Sequence, residues 1–453
     1  MKSLFHVGTS RSHWKQSSYS QLVIFKSKHR QVPCLLLTIQ LFTSCFVSNR
    51  NYNYRHSTFL PKDPKMNKLI TTTLLTLTMA SAMPTQATCR DTSRRLIIGA
   101  PYQILTADFD GKAFSITGNH TDVGTAPSWL LYDSPDLVYA VNENANDLSL
   151  FTLDAGLSKL SLESAVNGSS GVVFLEFNSD KTRVVGAAYG NGTVDVWDVS
   201  APDHSPKLLK TIDIPGVPSP AQGAHHPHQA LLDPTGRFFV IPNLGGDTVL
   251  VLDSKDDRYE ITGNATLPTG TGPRHGGFIQ SAGGNQTYYA LACELSNELL
   301  LFGLTYTEDS IAFRPLQNQS TYGADPPANA TSAAAGELQV ASNGRDVYVS
   351  NRISGNATDS IAHFVFDAAK ESLDFAESVS TGGLRPRMFS LSEDETIAFV
   401  ANQGGDVGLA AFERCGDSGA LVPTPVATLP SEALVAPALA ATEYMGPQYV
   451  REI

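Results

Sequence analysis

The chain has 453 residues, of which 42% are hydrophobic and 17% charged, and its formal net charge is −12. That composition is globular, with enough apolar residues for a full core and enough length for one large domain or two to three ordinary ones. The charge is uneven: residues 1–65 hold ten Lys/Arg and one acid, Asp63, so the remainder carries −12 − 9 = −21. Such a surface repels phosphate backbones and sets nucleic acid aside as a partner.

In chain order, residues 1–65 show no repeat or amphipathic period and read as a non-native or disordered leader. Within them "CLLLTIQLFTSCFV", Cys34 to Val47, is shorter than the roughly 20 residues a membrane span needs and carries Thr, Gln and Ser. Residues 66–87 follow the order of a secretory signal peptide. Met66 and Lys68 make a basic start, Leu69 to Met79 an apolar middle, and Ala80-Ser81-Ala82 or Thr85-Gln86-Ala87 a cleavage site. A signal peptide begins a protein, so Met66 is the expected start, residues 1–65 an over-extended frame, and the mature chain secreted, extracellular or wall-associated, with no stable membrane span after cleavage.

Eight N-x-S/T sequons, at Asn119, Asn167, Asn191, Asn264, Asn285, Asn318, Asn329 and Asn356, fit a secreted glycoprotein. After cleavage only Cys89, Cys293 and Cys415 remain, too few for a disulfide scaffold and without the C-x-x-C spacing of a zinc site.

From residue 89 onward the chain repeats one plan: an apolar strand, a polar turn, a second β-rich strand ending near Asn or Glu, a short Gly/Asn/Asp turn and a third strand. The copies are "APSWLLYDSPDLVYAVNENANDLSLFTLD", "GVVFLEFNSDKTRVVGAAYGNGTVDVWDV", "HPHQALLDPTGRFFVIPNLGGDTVLVLD", "PRHGGFIQSAGGNQTYYALACELSNELLLFGL", "GELQVASNGRDVYVSNRISGNATDSIAHFVFD" and "RPRMFSLSEDETIAFVANQGGDVGLAAFE". Their first turns, near Ser134, Ser179, Asp233, Gly283, Ser342 and Ser392, recur at the spacing of propeller blades. "RRLIIGAPYQILTADFD" matches the second and third strands of a seventh copy, and "EALVAPALAATEY" is expected to supply its missing first strand after "ALVPTPVATLP" has served as the outer strand of the last full blade. The predicted fold is all-β, one seven-bladed β-propeller over residues 89–453, closed by N- and C-terminal strands that share a blade. Cys89 and Cys415 flank that seam and could latch it, Cys293 reads as a buried thiol, and Trp197 in "VDVWDVS" reads as core packing.

Aligned copies place Pro127-Ser128, Pro227-His228, Pro273-Arg274 and Pro386-Arg387 at the start of the innermost strand. Asn142-Glu143, Asn243-Leu244, Cys293-Glu294, Asn351-Arg352 and Asn402-Gln403 fall at the end of the second. In antiparallel neighbours those two positions share one edge, so His228, Arg274 and Arg387 are expected to face Glu143, Glu294 and Arg352 around the channel mouth. Arginine forks suit carboxylate or phosphate, and His with Glu can move a proton, so a small anionic substrate or lactone is the expected partner. The alternative for such a ring is plain ion pairing. "HHPH" offers three imidazoles, His225, His226 and His228, but strand alternation sends neighbours to opposite faces, so neither a metal nor another cofactor is expected.

The motifs "HPHQALLDPTGRFFVIPNLGGD", "GPRHGGF", "CELSN", "YVSNR" and "RPRMFSLSEDETIAFVANQ" together resemble the seven-bladed lactonase family, which includes 6-phosphogluconolactonase and carboxy-cis,cis-muconate lactonising enzyme, and here its fungal secreted branch. The resemblance implies catalytic roles for His226 or His228, Arg274, Glu294 and Arg352; Arg387, Glu143 and His275 join them as candidate substrate-binding groups. The chain departs from the family at Asn243, where an acid is usual, at Gly276-Gly277, and in the sequon-bearing insertion after Arg352. Two functions follow: a metal-independent lactonase or lactonising enzyme, or a catalytically idle extracellular glycoprotein that serves as a binding platform.

Overall fold

The computed structural model describes residues 93–453 except Ala282 and Asn285. The leader, the signal segment, Cys89 and the Asn285 sequon lie outside the described residues. The described chain forms seven antiparallel sheets of four strands each. Blade 1 combines Tyr449–Glu452, Arg94–Ala100, Gln103–Phe109 and Phe114–Thr121, from the innermost strand outward. Blades 2 to 7 follow in chain order at residues 130–167, 172–213, 231–266, 273–320, 334–380 and 384–430.

Local chemistry sets this repeat. Strands such as Phe238–Asn243 and Thr248–Asp253 are rich in Val, Ile, Leu and Phe and are buried because a blade packs between two others. The turns are built by short acids and glycine: Asp233 accepts the backbone N–H of Thr235 at 3.0 Å and of Phe238 at 2.7 Å, while Gly236 takes φ +76°. A Cβ there would be strained by that backbone conformation. Trp197 is fully buried, and a Cβ added to Gly186 would lie 2.6 Å from its ring, so this Trp fills core space.

Closure differs from expectation in one respect. The innermost strand of blade 1 is Tyr449–Glu452, paired Leu96 to Glu452 and Gly99 to Tyr449, and not "EALVAPALAATEY". That alanine-rich stretch with Pro437 holds two short 3-10 turns, Ser431–Ala433 and Pro437–Leu439. Aromatic and β-branched side chains favour the pleat where alanine and proline do not, and "YVRE" supplies them. Tyr449 and Val450 are sealed in the core, the Val alone contributing about 1.5–3 kcal/mol. Arg94 bridges the seam to Asp394 at 2.6 Å and Glu452 at 3.2 Å, and Phe109 meets Phe399 edge to face at 5.4 Å. The outer strand of blade 7, Ala427–Pro430, is where the repeat puts it.

Blades 6 and 7 are tied by a buried charge network. Asp346 accepts from Arg414 Nη2 at 2.6 Å and Asn343 Nδ2 at 2.7 Å, and lies 3.2 Å from His363 Nε2. Burial opposes its ionisation, but the hydrogen bonds from His363, Arg345 and Asn343 outweigh it and hold the carboxyl far below its ordinary range. Arg414 Nε also donates to Tyr348 Oη at 2.6 Å, and Tyr348 stacks on His363. Cys293 is fully buried, and burial pushes its thiol well up; Cys415 is exposed.

Candidate active site at the channel mouth

The strand-start and strand-end positions meet as the repeat predicts. Pro227 bridges Asn243, Pro273 pairs with Cys293, Ala335 with Asn351, and Pro386 with Asn402. Proline is tolerated there because the innermost strand is an edge and needs no further donor. The register then slips between Val172 and Phe174, Pro273 and His275, Ala335 and Leu338, and Pro386 and Met388. Each slip is a bulge, which leaves its extra residue out of the ladder and re-aims the side chain. Val173, Arg274 and Arg387 are such residues, and with Ser128, His228, His275, Glu337 and Gln448 they line a tight cavity of about 10 Å³, roughly room for one water.

Charged groups crowd this mouth. Glu294 Oε2 forms ion pairs with Arg274 Nε at 2.9 Å and Arg352 Nη2 at 2.8 Å, and Glu143 Oε2 accepts from Arg387 Nη2 at 2.8 Å. Arg352 Nη2 also donates to the Ala335 carbonyl at 2.9 Å. Three guanidinium groups meet Glu294 and Glu143 here, and Glu337 lines the same cavity, so cations and carboxylates are matched in number while only two of the carboxylates pair directly with the arginines. Arg274 is only 2% exposed, and its buried Nη1 has no hydrogen-bond partner among the described residues. Burial first, then Arg352, pushes its guanidinium down to about 9, with Glu294 opposing. Glu294 is pushed up by burial, yet Arg352, Arg274 and Arg387 hold it below its ordinary range; Glu143 is lowered likewise, against burial, chiefly by Arg387.

A row of two histidines and a carboxylate adjoins the arginines in the same cavity. His228 Nδ1 is 3.0 Å from His275 Nε2, and His275 Nδ1 is 2.9 Å from Glu337 Oε2. His275 and Glu337 are 1% exposed and His228 is 6%. Trp129 and Phe174 each meet His275 edge to face at 5.7 Å, and Tyr449 packs on Trp129 at 5.2 Å. Burial and Arg274 push His228 well below the ordinary imidazole range, and burial lowers His275 against the pull of Glu337.

The three neighbouring histidines do not converge. His225 Nδ1 lies 3.0 Å from Asn243 Nδ2, and His226 stacks on Tyr189 at 4.2 Å with Nδ1 2.7 Å from the Tyr189 carbonyl. Of His226 and His228, the latter lines the cavity. Asn243 is fully buried, and its Oδ1 accepts the His226 N–H at 2.9 Å. Asn142 Oδ1 accepts the Ala126 N–H in the same way, while Asn351 and Asn402 tie their loops in the opposite sense, donating Nδ2 to the Thr321 and Thr381 carbonyls. The amide at 243 is therefore a clamp for the loop and not a vacated charge at the mouth. Gly276 has its own reason: a Cβ there would lie 2.3 Å from the Tyr289 ring.

Sequence reading missed Glu337 and Tyr189. Blade 6 has Ala335-Gly336 where blades 2, 4, 5 and 7 mark the position with Pro, which hid Glu337. Tyr189 occupies the strand-end slot of Glu143 and Glu294 in blade 3, so the same alignment extended by one blade finds it. The seven described sequon asparagines are all exposed. Asn119, Asn167, Asn264 and Asn318 lie near the ends of outermost strands, Asn191 and Asn356 in turns between second and third strands, and Asn329 in the connection into blade 6. By antiparallel alternation these positions are all on the mouth side.

Comparison with known proteins agrees with this architecture. Residues 91–436 match the family model described as "Lactonase, 7-bladed beta-propeller". A protein of Arthroderma benhamiae described as "Probable 6-phosphogluconolactonase" is 28% identical over 73% of this chain and 84% of its own length. An uncharacterized protein of Staphylococcus saprophyticus is 25% identical over 66% of this chain and 85% of its own. Among solved structures, the periplasmic gluconolactonase of Pseudomonas aeruginosa superposes with TM-score 0.66 at 24% identity, covering 80% of this chain and 99% of that one, which shows the shared fold. With seven blades, a charged mouth and a family match over most of its length, the chain belongs to the seven-bladed β-propeller lactonases.

Proposed function

We propose that this protein is a secreted, glycosylated lactonase that hydrolyses a small anionic sugar lactone of the 6-phosphogluconolactone type without a metal. The observation that carries the reading is Arg274, a buried guanidinium whose Nη1 is unpartnered, set between Glu294 and His228 in a mouth that gathers three arginines. A phosphate or carboxylate of the substrate pairs with Arg352 and Arg387, and Arg274 stabilises the oxyanion that forms as the ring carbonyl is attacked. His228 takes a proton from the attacking water and returns it to the ring oxygen as the C–O bond breaks, which yields the open hydroxy acid. Glu294, already shared by two guanidiniums, positions them and is a poor proton acceptor. Exposed sequons on the mouth side support a glycoprotein that leaves blade faces and seams free of glycan.

Turnover of a panel of aldonolactones with and without a terminal phosphate tests the reading. The wild-type protein is expected to open the charged members, and Arg352→Ala to raise their KM by about tenfold or more. No turnover across the panel, or an unchanged KM in the variant, removes the enzymatic function and leaves the binding platform.

The acid limb of the pH profile gives a second check. A general base must be unprotonated, and burial with Arg274 lowers the His228 pKa. kcat/KM should therefore stay level as pH falls past 6.5, the ordinary imidazole value, and decline only well below it. A decline centred at or above 6.5 would point to a different base.

A further inference from the structure

Glu337, His275 and His228 form a buried row that the binding of charge does not require. Glu337 Oε1 accepts from Gln339 Nε2 at 3.0 Å, and its Oε2 faces His275 Nδ1 at 2.9 Å. A carboxylate only accepts hydrogen bonds, so His275 carries its proton on Nδ1 and turns the lone pair of Nε2 outward. That lone pair faces His228 Nδ1 at 3.0 Å, which must then be the protonated nitrogen of His228. The remaining nitrogen, Nε2, is left with a lone pair on the ring edge away from His275. The edges of Trp129 and Phe174 against His275 keep its ring from turning out of this row.

We infer that Glu337 and His275 are positioning residues that lock His228 in the Nδ1–H tautomer, so that Nε2 of His228 is the proton acceptor of the site. The catalytic consequence rests on the lactonase reading above; the tautomer itself does not. The charged and titratable groups facing His228 are Arg274, Arg387 and Arg352 at the mouth, Tyr189 against its ring, and His275 at its Nδ1. The three cations disfavour a lasting charge on the imidazole, so the accepted proton is passed on within the turnover. Glu337 lines the same small cavity but reaches His228 only through His275, which is the contact by which it orients the row.

Glu337→Gln keeps the size but offers His275 an N–H donor, which permits the reversed row with the His228 proton on Nε2. In the Ser–His–Asp triad the equivalent Asp→Asn change lowers kcat by about 10⁴ through the wrong tautomer. Here Glu337→Gln is expected to lower kcat by about 10² or more with KM changed less than about threefold, since the direct pairs of Arg352 and Arg387 with Glu294 and Glu143 stay in place. Long-range ¹H–¹⁵N correlation on ¹⁵N-histidine-labelled protein reads the tautomers directly. In the wild type both His228 and His275 should show protonated Nδ1 and bare Nε2, and in Glu337→Gln the His228 pattern should reverse or become mixed. A wild-type His228 protonated on Nε2 overturns the inference whether or not any lactone is hydrolysed. A folded Glu337→Gln with wild-type kcat on a hydrolysed lactone overturns the positioning role. Loss of activity on every lactone with the expected tautomers in place would sink the functional reading alone.

Discussion

Arg274→Met is expected to lower kcat/KM for an anionic lactone by about 10²–10³ without unfolding the protein. The loss follows from removing a preorganised cation aimed at developing negative charge, which is worth a few kcal/mol per donor in a water-poor site. The stability side has the opposite sign. Arg274 is 2% exposed, and burial pushes its guanidinium down to about 9, so the free protein holds this charge at a cost. Glu294 keeps Arg352 at 2.8 Å after the change and is not stranded. Replacing such a buried ion by an apolar side chain of similar length is often neutral or stabilising by about 1–4 kcal/mol. The pair of measurements is kinetics on the lactone panel and a thermal scan of both proteins. Activity within a few-fold of wild type, or a fall of several degrees in Tm, would contradict a site that trades stability for a ready anion-binding charge.

Asp346→Ala is expected to cost about 3–5 kcal/mol of stability, the range for leaving buried charges without their partner. Asp346 is fully buried and serves Arg414, Arg345, Asn343 and His363 at once, and Arg414 and Tyr348 in turn hold blade 7 to blade 6. The carboxyl's folded pKa is depressed, so its contribution is fully present above the unfolded value near 3.9 and fades as pH falls through the folded value. Urea titrations at pH 7 and pH 3 check both points: the gap between wild type and variant should be wide at pH 7 and narrower at pH 3. An equal gap at both values would show that shape and packing, not ionisation, carry the network.

Much of the site was legible because a repeat makes unlike residues comparable. Pro273-Arg274 and Pro386-Arg387 stand in one slot, Glu143, Glu294 and Arg352 in the facing one, and antiparallel pairing brings the slots together. What escaped depends on features that a strand-by-strand alignment does not carry. A bulge decides which residue of "AGELQV" turns inward, and although the register shifts by one residue as in the other blades, the unpaired stretch between Ala335 and Leu338 is longer, Gly336 and Glu337 together. The His228–His275 contact joins blades 4 and 5 through side-chain direction alone. The closing strand was misplaced because "EALVAPALAATEY" is apolar and well spaced, whereas the four residues Tyr449–Glu452 are short enough to pass as a tail. Hydrophobicity there outvoted β-propensity, and the structure reverses that ranking.

The seam also sets a timetable for making the protein. Arg94–Ala100 waits for a partner that lies 349 residues later in the chain, counting from Ala100 to Tyr449. At about 5–20 residues per second of synthesis, the edge of blade 1 is bare for roughly 20–70 s after its own strands emerge. During that interval Gln448 is missing from the cavity and Tyr449 from its place on Trp129, so no partial propeller carries a complete site. A nascent chain of this protein is thus a substrate for chaperones, or for edge-to-edge pairing with its neighbours on the same polysome, until a tyrosine, a valine and two charged residues arrive to end the exposure.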